Sequence, residues 1–144
     1  MIEINNLTTS SIDKSFIKKV AEEVIKGEDK EGADLSIAIV ESEEIKKVNN
    51  SYRGKNEVTN VLSFSESDVS SDYPEIRNNH LGEVLVCLER VKKDAREQEI
   101  DQEKELAKVL IHGILHLLGY DHERSEEEAK KMEDKQNYYL SNIN

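Results

Sequence analysis

Three of the four histidines in this chain lie in one short segment, as His112, His116 and His122. Residues four apart on a helix lie one turn above each other, so a helix here would present His112 and His116 on the same stripe. Gly119 follows them, and a glycine readily adopts the left-handed backbone that ends many helices, which would swing His122 back beside the other two. Three imidazoles with one coordination position left open are typical of catalytic zinc sites, where the ion lowers the pKa of a bound water to about 7. The spacing therefore predicts a site for one Zn²⁺ ion on a helix and the turn after it.

The same spacing occurs in the metalloprotease signature H-E-x-x-H-x-x-G-x-x-H. In those enzymes the residue after the first histidine is the glutamate that acts as general base, and here that position is Gly113. The segment therefore predicts hydrolytic chemistry, but it does not favour peptide bonds as the substrate. The nearest carboxylate in sequence is Asp121, which we expect to orient a ligating histidine. His80 lies apart from the segment, at the end of a polar stretch, and we interpret it as a structural histidine.

The segments around the histidines predict a small α+β fold with a mixed sheet of about four strands and about five helices. Alternating or β-branched runs predict strands at residues 2–7, 33–40, 58–64 and 81–88. Apolar residues at intervals of three and four predict helices at residues 11–27, 43–52, 89–98, 102–118 and 125–139. Ser10 or Ser11 is the expected N-cap of the first helix, and Asp101 is that of the fourth. The polar residues 65–79 predict a surface loop. The histidine-bearing helix is apolar at most other positions, so we expect it to be buried.

The composition excludes several classes of protein. The 144 residues suit one domain, and we expect a single domain over 1–144. Twenty Lys and Arg against thirty-one Asp and Glu give a net charge of -11, which excludes a globally basic nucleic-acid binder but not a local basic patch. A single cysteine, Cys87, rules out an intramolecular disulfide, and its apolar neighbours predict a buried side chain. No segment resembles a signal peptide or reaches the roughly twenty apolar residues that span a bilayer, so we expect a cytoplasmic protein with no membrane contact.

The segment from His112 to His122 reads H-G-I-L-H-L-L-G-Y-D-H, and it closely resembles the H-G-x-L-H-L-x-G-Y-D-H signature of the YbeY family of rRNA-maturation endoribonucleases. Two upstream segments agree with that family: Y-R-G-K at 52–55 with T-N-V-L-S-F at 59–64, and L-G-E-V-L-V-C at 81–87. The chain departs from the family pattern at Asn56, Val58 and Ser65, where Asp, Pro and Pro are usual. These positions shape a loop and are not proposed ligands.

The resemblance implies an α+β fold and a zinc ion held by His112, His116 and His122. His112 would then belong to the catalytic residues as well as to the ligands. Arg53, the arginine of the Y-R-G-K segment, would be the leading catalytic residue outside the ligand set. A guanidinium can bind a phosphate through two hydrogen bonds and oppose the charge that develops at phosphorus. A structural cation at a helix end, interacting with the helix dipole, is the alternative interpretation of Arg53.

The resemblance also implies a biological role. It predicts a single-strand-specific, metal-dependent endoribonuclease that acts in 3′-end maturation of 16S rRNA and in ribosome quality control. The expected partners are rRNA and the small ribosomal subunit, with an assembly GTPase or ribosomal proteins as further candidates. Because the net charge opposes nonspecific RNA binding, we expect a local basic groove and ribosomal contacts to supply targeting. The cations expected to form such a groove are Lys46, Lys47, Arg53 and Lys55, with a second basic run at 92–96.

Two alternatives remain open from the residues alone. One is a metal-dependent hydrolase of another bond, such as a peptide. The other is a noncatalytic ribosome-assembly factor in which zinc only fastens the helix to the following turn. That second alternative predicts a closed site, with a carboxylate or Cys87 as a fourth protein ligand in place of exchangeable water.

Overall fold

The computed structural model describes residues 1–65 and 80–143. Within these ranges the elements in chain order are β1 (Ile2–Asn6), α1 (Lys14–Gly27), β2 (Asp34–Val40), α2 (Ser42–Arg53), β3 (Val61–Ser65), β4 (His80–Cys87), α3 (Leu88–Gln98), α4 (Gln102–Leu117) and α5 (Glu126–Ser141). The predicted α+β class is confirmed, as is the expectation of about four strands and five helices. Of the predicted polar loop at 65–79, residues 66–79 lie outside the described residues.

The described strands form one mixed sheet in the order β1-β2-β4-β3. β1, β2 and β4 run parallel to one another, whereas β3 runs antiparallel to β4. In the register of that last pair, Val61 lies opposite Val86 and Ser65 lies opposite Gly82. Among the described strands, β3 is therefore an edge strand.

The side chains of β2 separate two cores. Leu35, Ile37 and Ile39 point to one face of the sheet, where they pack with apolar residues of α1, α3, α4 and α5. Ala38 and Val40 point to the other face, where the smaller core is closed by α2. All five of these side chains are buried, so the strand is covered on both faces. The larger core therefore contains α4, the helix that carries the first two histidines.

The start of α1 differs from the sequence prediction. Asp13 is its N-cap, and the carboxylate accepts a hydrogen bond at 3.1 Å from a backbone N–H of the first turn. Ser10 and Ser11 lie before the helix, and the Ser10 carbonyl accepts a hydrogen bond from the side-chain amide of Asn6 at 2.7 Å. The prediction of a serine cap was wrong because this turn after β1 delays the helix until Asp13 can cap it.

The start of β3 is also later than predicted, at Val61 rather than Val58. Side chains bind the backbone at Glu57 and Val58, whereas the Asn60 carbonyl already accepts from the Cys87 N–H of β4 at 2.9 Å. Arg90 donates to the Val58 carbonyl at 3.1 Å, and Asn49 donates to the Glu57 carbonyl at 3.0 Å. These contacts hold the segment between α2 and β3 outside the ladder of the sheet.

Membrane contact was not expected for this chain. Within the described ranges, no helix combines the length and the apolar character that a membrane crossing requires.

Candidate metal centre

The helix α4 presents the first two histidines. The Asp101 carboxylate caps it, accepting from the Glu103 N–H at 3.2 Å as the sequence predicts. Most of its surface is turned into the larger core. His112 and His116 lie one turn apart on its remaining, partly exposed face, with ring centroids 4.9 Å apart. The packed helix therefore holds these two rings at a set separation.

The turn after α4 presents the third histidine. Gly119 has a φ of 100°, and its N–H donates to the His116 carbonyl at 3.1 Å. The Tyr120 N–H donates to the Leu115 carbonyl, also at 3.1 Å. These bonds close the end of the helix around a positive-φ glycine, and they reverse the chain so that His122 returns to the other two histidines. The predicted reversal at Gly119 is confirmed.

The three imidazoles converge on one point. One ring nitrogen from each of His112, His116 and His122 lies within 4.8 Å of the other two. The His122 ring centroid lies 5.3 Å from that of His112 and 5.1 Å from that of His116. A tetrahedral zinc site with Zn–N bonds of about 2.0–2.1 Å sets its nitrogens roughly 3.4 Å apart, so modest ring rotations suffice to bring all three onto one ion. The donor set fits zinc, and no carboxylate or cysteine of the described residues joins the group.

Gln136 of α5 contacts the first histidine. Its side-chain carbonyl Oε1 lies 3.0 Å from Nδ1 of His112. Because a carbonyl oxygen only accepts, Nδ1 of His112 donates and Nε2 keeps its lone pair for a ligand. Burial lowers the pKa of both the His112 and the His116 imidazole, which keeps these rings neutral at pH 7. Neutral imidazole is the form that binds a metal ion.

A partly buried carboxylate, that of Glu28, anchors the other side of the turn. The Tyr120 hydroxyl donates to Oε1 of Glu28 at 2.6 Å, and the Tyr139 hydroxyl donates to Oε2. The Lys135 ammonium lies 3.1 Å from Oε2. Burial acts to raise the pKa of Glu28, but the two hydroxyls and the ammonium outweigh it and hold that pKa below its usual value. Burial and the contact with Glu28 raise the pKa of Tyr120 to about 12. The turn is therefore tied to the end of α1 and to α5.

Gly113 lies where α4 packs directly against β3 and β4. A Cβ at this position would lie 3.0 Å from a methyl of Val61, 3.0 Å from a methyl of Val84 and 3.1 Å from the Ser63 hydroxyl. The Ser63 hydroxyl donates to the Gly113 carbonyl at 2.8 Å. A glutamate, as in the protease signature, does not fit here unless β3 or β4 moves. The packing of α4 against the sheet therefore favours glycine at the position where the protease signature has glutamate.

Arg53 ends α2 beside the open side of the histidines. Gly54 closes the helix in the left-handed conformation, with a φ of 68°. The guanidinium Nη2 lies 3.9 Å from Oε1 of Glu123, and the same oxygen lies 4.0 Å from Nε2 of His122. Both Arg53 and Glu123 are largely exposed to solvent. A phosphate that replaced the Glu123 carboxylate would therefore lie between the arginine and the histidine group.

The histidines and Arg53 line one cleft of about 1340 Å³. Lys108 is the other cation among the described residues of its lining, and Lys46, Lys47 and Lys55 lie outside that lining. The acidic side chains of the lining are Glu83, Asp94, Glu105, Asp121 and Glu123. The cleft is therefore less basic than the sequence predicts, because only Arg53 of the four expected cations around α2 reaches it.

Two further sequence predictions concern residues near the histidines. Asp121 lines the cleft, and its Oδ1 accepts from the Glu123 N–H at 2.9 Å while its Oδ2 lies 3.5 Å from Nε of Arg124. These contacts shape the turn; the orientation of a histidine by Asp121 stays a prediction. His80 begins β4 opposite Asp34 and also lines the cleft, outside the group of three converging histidines.

Cys87 lies at the end of β4 and is fully buried, as predicted. Its sulfur lies 3.5 Å from the Ser42 hydroxyl at the start of α2. It is not a member of the histidine group. The thiol therefore does not supply the fourth ligand that a closed zinc site would need.

Comparison with known proteins assigns the family. The family model described as Endoribonuclease YbeY matches residues 3–144. The chain belongs to the YbeY family. A relative named Endoribonuclease YbeY from Persephonella marina is 40% identical over 133 residues, covering 92% of this chain and 85% of the relative. One of the same name from Aquifex aeolicus is 35% identical over 137 residues, covering 95% and 88%. A solution structure of a Thermotoga maritima protein matches with a TM-score of 0.66 and 35% identity, covering 99% of this chain and 89% of that one.

The YbeY resemblance in the sequence is thus confirmed. Two contacts of the site, however, could not be recognised from the sequence. Gln136 is 24 residues from His112, and Glu28 is 92 residues from Tyr120. Neither residue belongs to the motif or to a local pattern around it. Only the packing of α1 and α5 against α4 brings these groups to the histidines.

Proposed function

We propose that this member of the YbeY family is a zinc-dependent endoribonuclease that cleaves phosphodiester bonds in single-stranded RNA. Its endoribonuclease activity follows from its family, whose model and curated relatives carry that description. The observation that carries the proposal for the metal is the convergence of His112, His116 and His122 within one cleft. The neutral state of two of these rings and the absence of a further protein donor among the described residues favour an open, catalytic site.

The three histidines would hold the ion, and zinc is the metal that an all-imidazole set with one open position favours. When bound, zinc supplies Lewis-acid polarisation of a phosphoryl oxygen and an acidified water. Gln136 keeps Nδ1 of His112 protonated, so that Nε2 would be free to hold the ion. Asp121 supports His122 by holding the backbone of the turn through the Glu123 N–H.

Arg53 would bind a non-bridging oxygen of the scissile phosphate and stabilise the charge that develops there. In the free protein its guanidinium faces the Glu123 carboxylate at 3.9 Å. An exposed ion pair of this kind contributes only about 0–1 kcal/mol, so a phosphate displaces the carboxylate at little cost. Arg53 is therefore available to the substrate, although it is paired when the cleft is empty.

The proposed substrate is the 3′ region of 16S rRNA on the small ribosomal subunit, in the cytoplasm. Of the residues that the structure describes, five acidic side chains and two cations line the cleft, which opposes the capture of arbitrary RNA. Contacts with rRNA, ribosomal proteins or an assembly GTPase would then supply the targeting that the cleft lacks. A free, buried Cys87 is consistent with a reducing compartment.

Cleavage of a single-stranded RNA with the 16S 3′ sequence tests the activity, with zinc content measured on the same protein. We expect one zinc per chain, loss of cleavage after chelation and recovery on adding zinc back. Arg53→Ala should lower kcat by about 100-fold or more, by analogy with the removal of one charge-stabilising donor. Lys55→Ala is the matched control, because Lys55 is a neighbouring exposed cation outside the cleft lining.

Two results would contradict the proposal. Full RNA cleavage by a completely chelated protein would remove the metal from the mechanism. Cleavage of casein in preference to RNA would favour a peptidase, against the packing at Gly113. In cells depleted of the protein, mapped 16S 3′ ends should be restored by the wild type and not by Arg53→Ala.

A further inference from the structure

An exposed aromatic residue stands at the mouth of the cleft. Tyr52 is 73% exposed. Its ring centroid lies 4.8 Å from that of Phe64 on the edge strand β3, at an interplanar angle of 57°. Both rings line the cleft that contains the histidines. Tyr52 is therefore in contact with a neighbouring ring while much of its side chain remains open to solvent.

Phe64, which the Tyr52 ring contacts, is held in place by the smaller core. Phe64 and Val48 pack against the smaller core, on the α2 face of the sheet. Tyr52 is the penultimate residue of α2, directly before Arg53, and Gly54 closes the helix. Because Tyr52 and Arg53 both line the cleft, a phosphate bound by Arg53 would enter the same cleft as the Tyr52 ring.

The charges of the cleft favour RNA contacts other than those to phosphates. Among the described residues, Arg53 and Lys108 are the cations of the lining, so few phosphates can be neutralised there. RNA affinity that does not come from phosphates must come from the bases. Unpaired bases stack on aromatic side chains with about 1–3 kcal/mol per base, and every base offers a ring face for this contact. Bases inside a duplex are already stacked and do not offer theirs.

We propose that Tyr52, supported by Phe64, is a stacking platform for one unpaired nucleobase of the RNA substrate. This inference rests on the proposed function, because it assumes that RNA enters the cleft. It assigns the preference for single strands to a particular pair of residues. Arg53 binds the sugar-phosphate backbone and Tyr52 binds the adjoining base.

The chain contains a matched control for Tyr52. Tyr138 is also exposed, at 58%, and its ring also packs against another ring, that of Tyr139 at 5.2 Å. Tyr138 lies on α5 and is outside the lining of the cleft. Its replacement removes an exposed, stacked tyrosine without changing the proposed platform.

Binding of two short single strands by fluorescence anisotropy tests the platform. One strand is oligoadenylate, and the other is an abasic ribose-phosphate chain of the same length, with RNA integrity checked on a gel after each titration. We expect the wild type to prefer oligoadenylate, and Tyr52→Ala to reduce its affinity for that strand by about 5- to 150-fold. The affinity for the abasic chain should not change, and Tyr52→Phe and Tyr138→Ala should bind both strands as the wild type does.

Salt dependence separates the two contacts. Tyr52→Ala should leave the slope of log K against log salt unchanged, because it removes no phosphate contact. Arg53→Ala should reduce the magnitude of that slope by about 0.7, the value for one phosphate of a single strand. A change of slope in Tyr52→Ala would overturn the stacking role in favour of an indirect effect on Arg53.

The results that would contradict the stacking platform differ from those that would contradict the proposed function. If the wild type cleaves and binds RNA while Tyr52→Ala binds oligoadenylate equally well, the platform is wrong and the proposed function stands. Equal wild-type affinity for the oligoadenylate and abasic strands would also overturn the platform. If the wild type neither binds nor cleaves RNA, the proposed function fails, and the platform fails with it.

Discussion

The two halves of the histidine group are held in different ways. His112 and His116 lie on α4, a helix packed into the larger core, and both rings are partly buried. His122 lies on the turn that follows, where 44% of its side chain is exposed. The first pair is fixed by helical periodicity and core packing, whereas the third ring depends on hydrogen bonds within the turn and on the contact of the turn with Glu28.

The helix therefore gives the site rigidity, and the turn gives the substrate access to it. A packed helix preorganises two ligands, which limits the reorganisation needed to bind an ion. A solvent-exposed turn leaves the open side of the site accessible to substrate and places Glu123 and Arg53 there. The anchor at Glu28 keeps that turn from moving freely. Changes on each side of the comparison should therefore have different consequences.

The largest effect is expected from removing a ligand. His116→Ala should abolish stoichiometric zinc and reduce RNA cleavage below detection, because two imidazoles cannot replace the three-ligand set. The loss in zinc affinity should exceed the 10- to 100-fold typical of removing an outer hydrogen-bond partner. Metal analysis and a gel-based cleavage assay on the same sample measure both quantities.

His122→Ala removes the ligand on the turn and so tests the other half of the histidine group. It should also lose tight zinc binding, but it should leave the free energy of unfolding of the metal-free protein within about 0.5 kcal/mol of the wild type, because the side chain is exposed. A His116→Ala protein that kept one zinc ion and full cleavage would contradict the account of the site.

The turn can be loosened without touching a histidine. Tyr120→Phe removes the 2.6 Å hydrogen bond to Glu28, and loss of a bond to a charged group should lower the free energy of unfolding by about 1.5–3 kcal/mol. Urea denaturation measures this change. Tyr138→Phe is the control, with an expected change within about 0.5 kcal/mol for an exposed hydroxyl.

The same loss should depend on pH. The folded pKa of Glu28 lies below its ordinary value of 4.5, so the stabilisation is present above about pH 4.5 and is lost as the pH falls through the folded pKa. The difference between wild type and Tyr120→Phe should therefore shrink on acidification. A difference that grew at low pH would argue against an ionised Glu28 as the acceptor.

On the helix side, the orientation of one ring can be tested alone. Gln136→Ala removes the partner of His112 Nδ1 and should weaken zinc binding by about 10- to 100-fold. Asn137→Ala, at the next and exposed position of α5, should bind zinc as the wild type does. Competition with a chelator of known affinity gives both constants. Equal zinc affinities in the two variants would show that the ring is oriented by packing alone.

The sequence predicts the helix side of this comparison better than the turn side. The spacing of His112 and His116 follows from helical periodicity, and the cap at Asp101 follows from the capping preference of aspartate, so both local features were confirmed. The reversal at Gly119 was predicted from residue type. The support from Glu28 and Gln136 was not, because tertiary packing alone brings such distant residues together.

Tertiary structure also decides which of the cations predicted to form a basic groove reach the cleft. Lys46, Lys47 and Lys55 are near Arg53 in sequence, yet helical geometry and the end of α2 turn only Arg53 to the cleft. Charge clusters in a sequence do not specify which side chains share a surface. The start of α1 at Asp13 rather than at a serine likewise depended on a turn that local propensity does not reveal.

The smallest effect is expected at the exposed edge of the site. Glu123→Gln removes the carboxylate that faces Arg53 at 3.9 Å, and RNA should bind up to about 5-fold more tightly, since exposed pairs contribute about 1 kcal/mol or less. Anisotropy at low salt measures the change. Glu126→Gln, an exposed acid outside the cleft lining, is the control for net charge. Weaker binding by Glu123→Gln would mean that the carboxylate helps, rather than competes with, the phosphate.

The central claim is that three imidazoles hold one zinc ion with a coordination position left for solvent or substrate. X-ray absorption at the zinc edge of the loaded protein measures this directly. The account predicts three imidazole nitrogens at about 2.0–2.1 Å and one exchangeable light-atom ligand. A sulfur from Cys87, a fourth protein ligand that closes the site, or failure to load one ion per chain would contradict it.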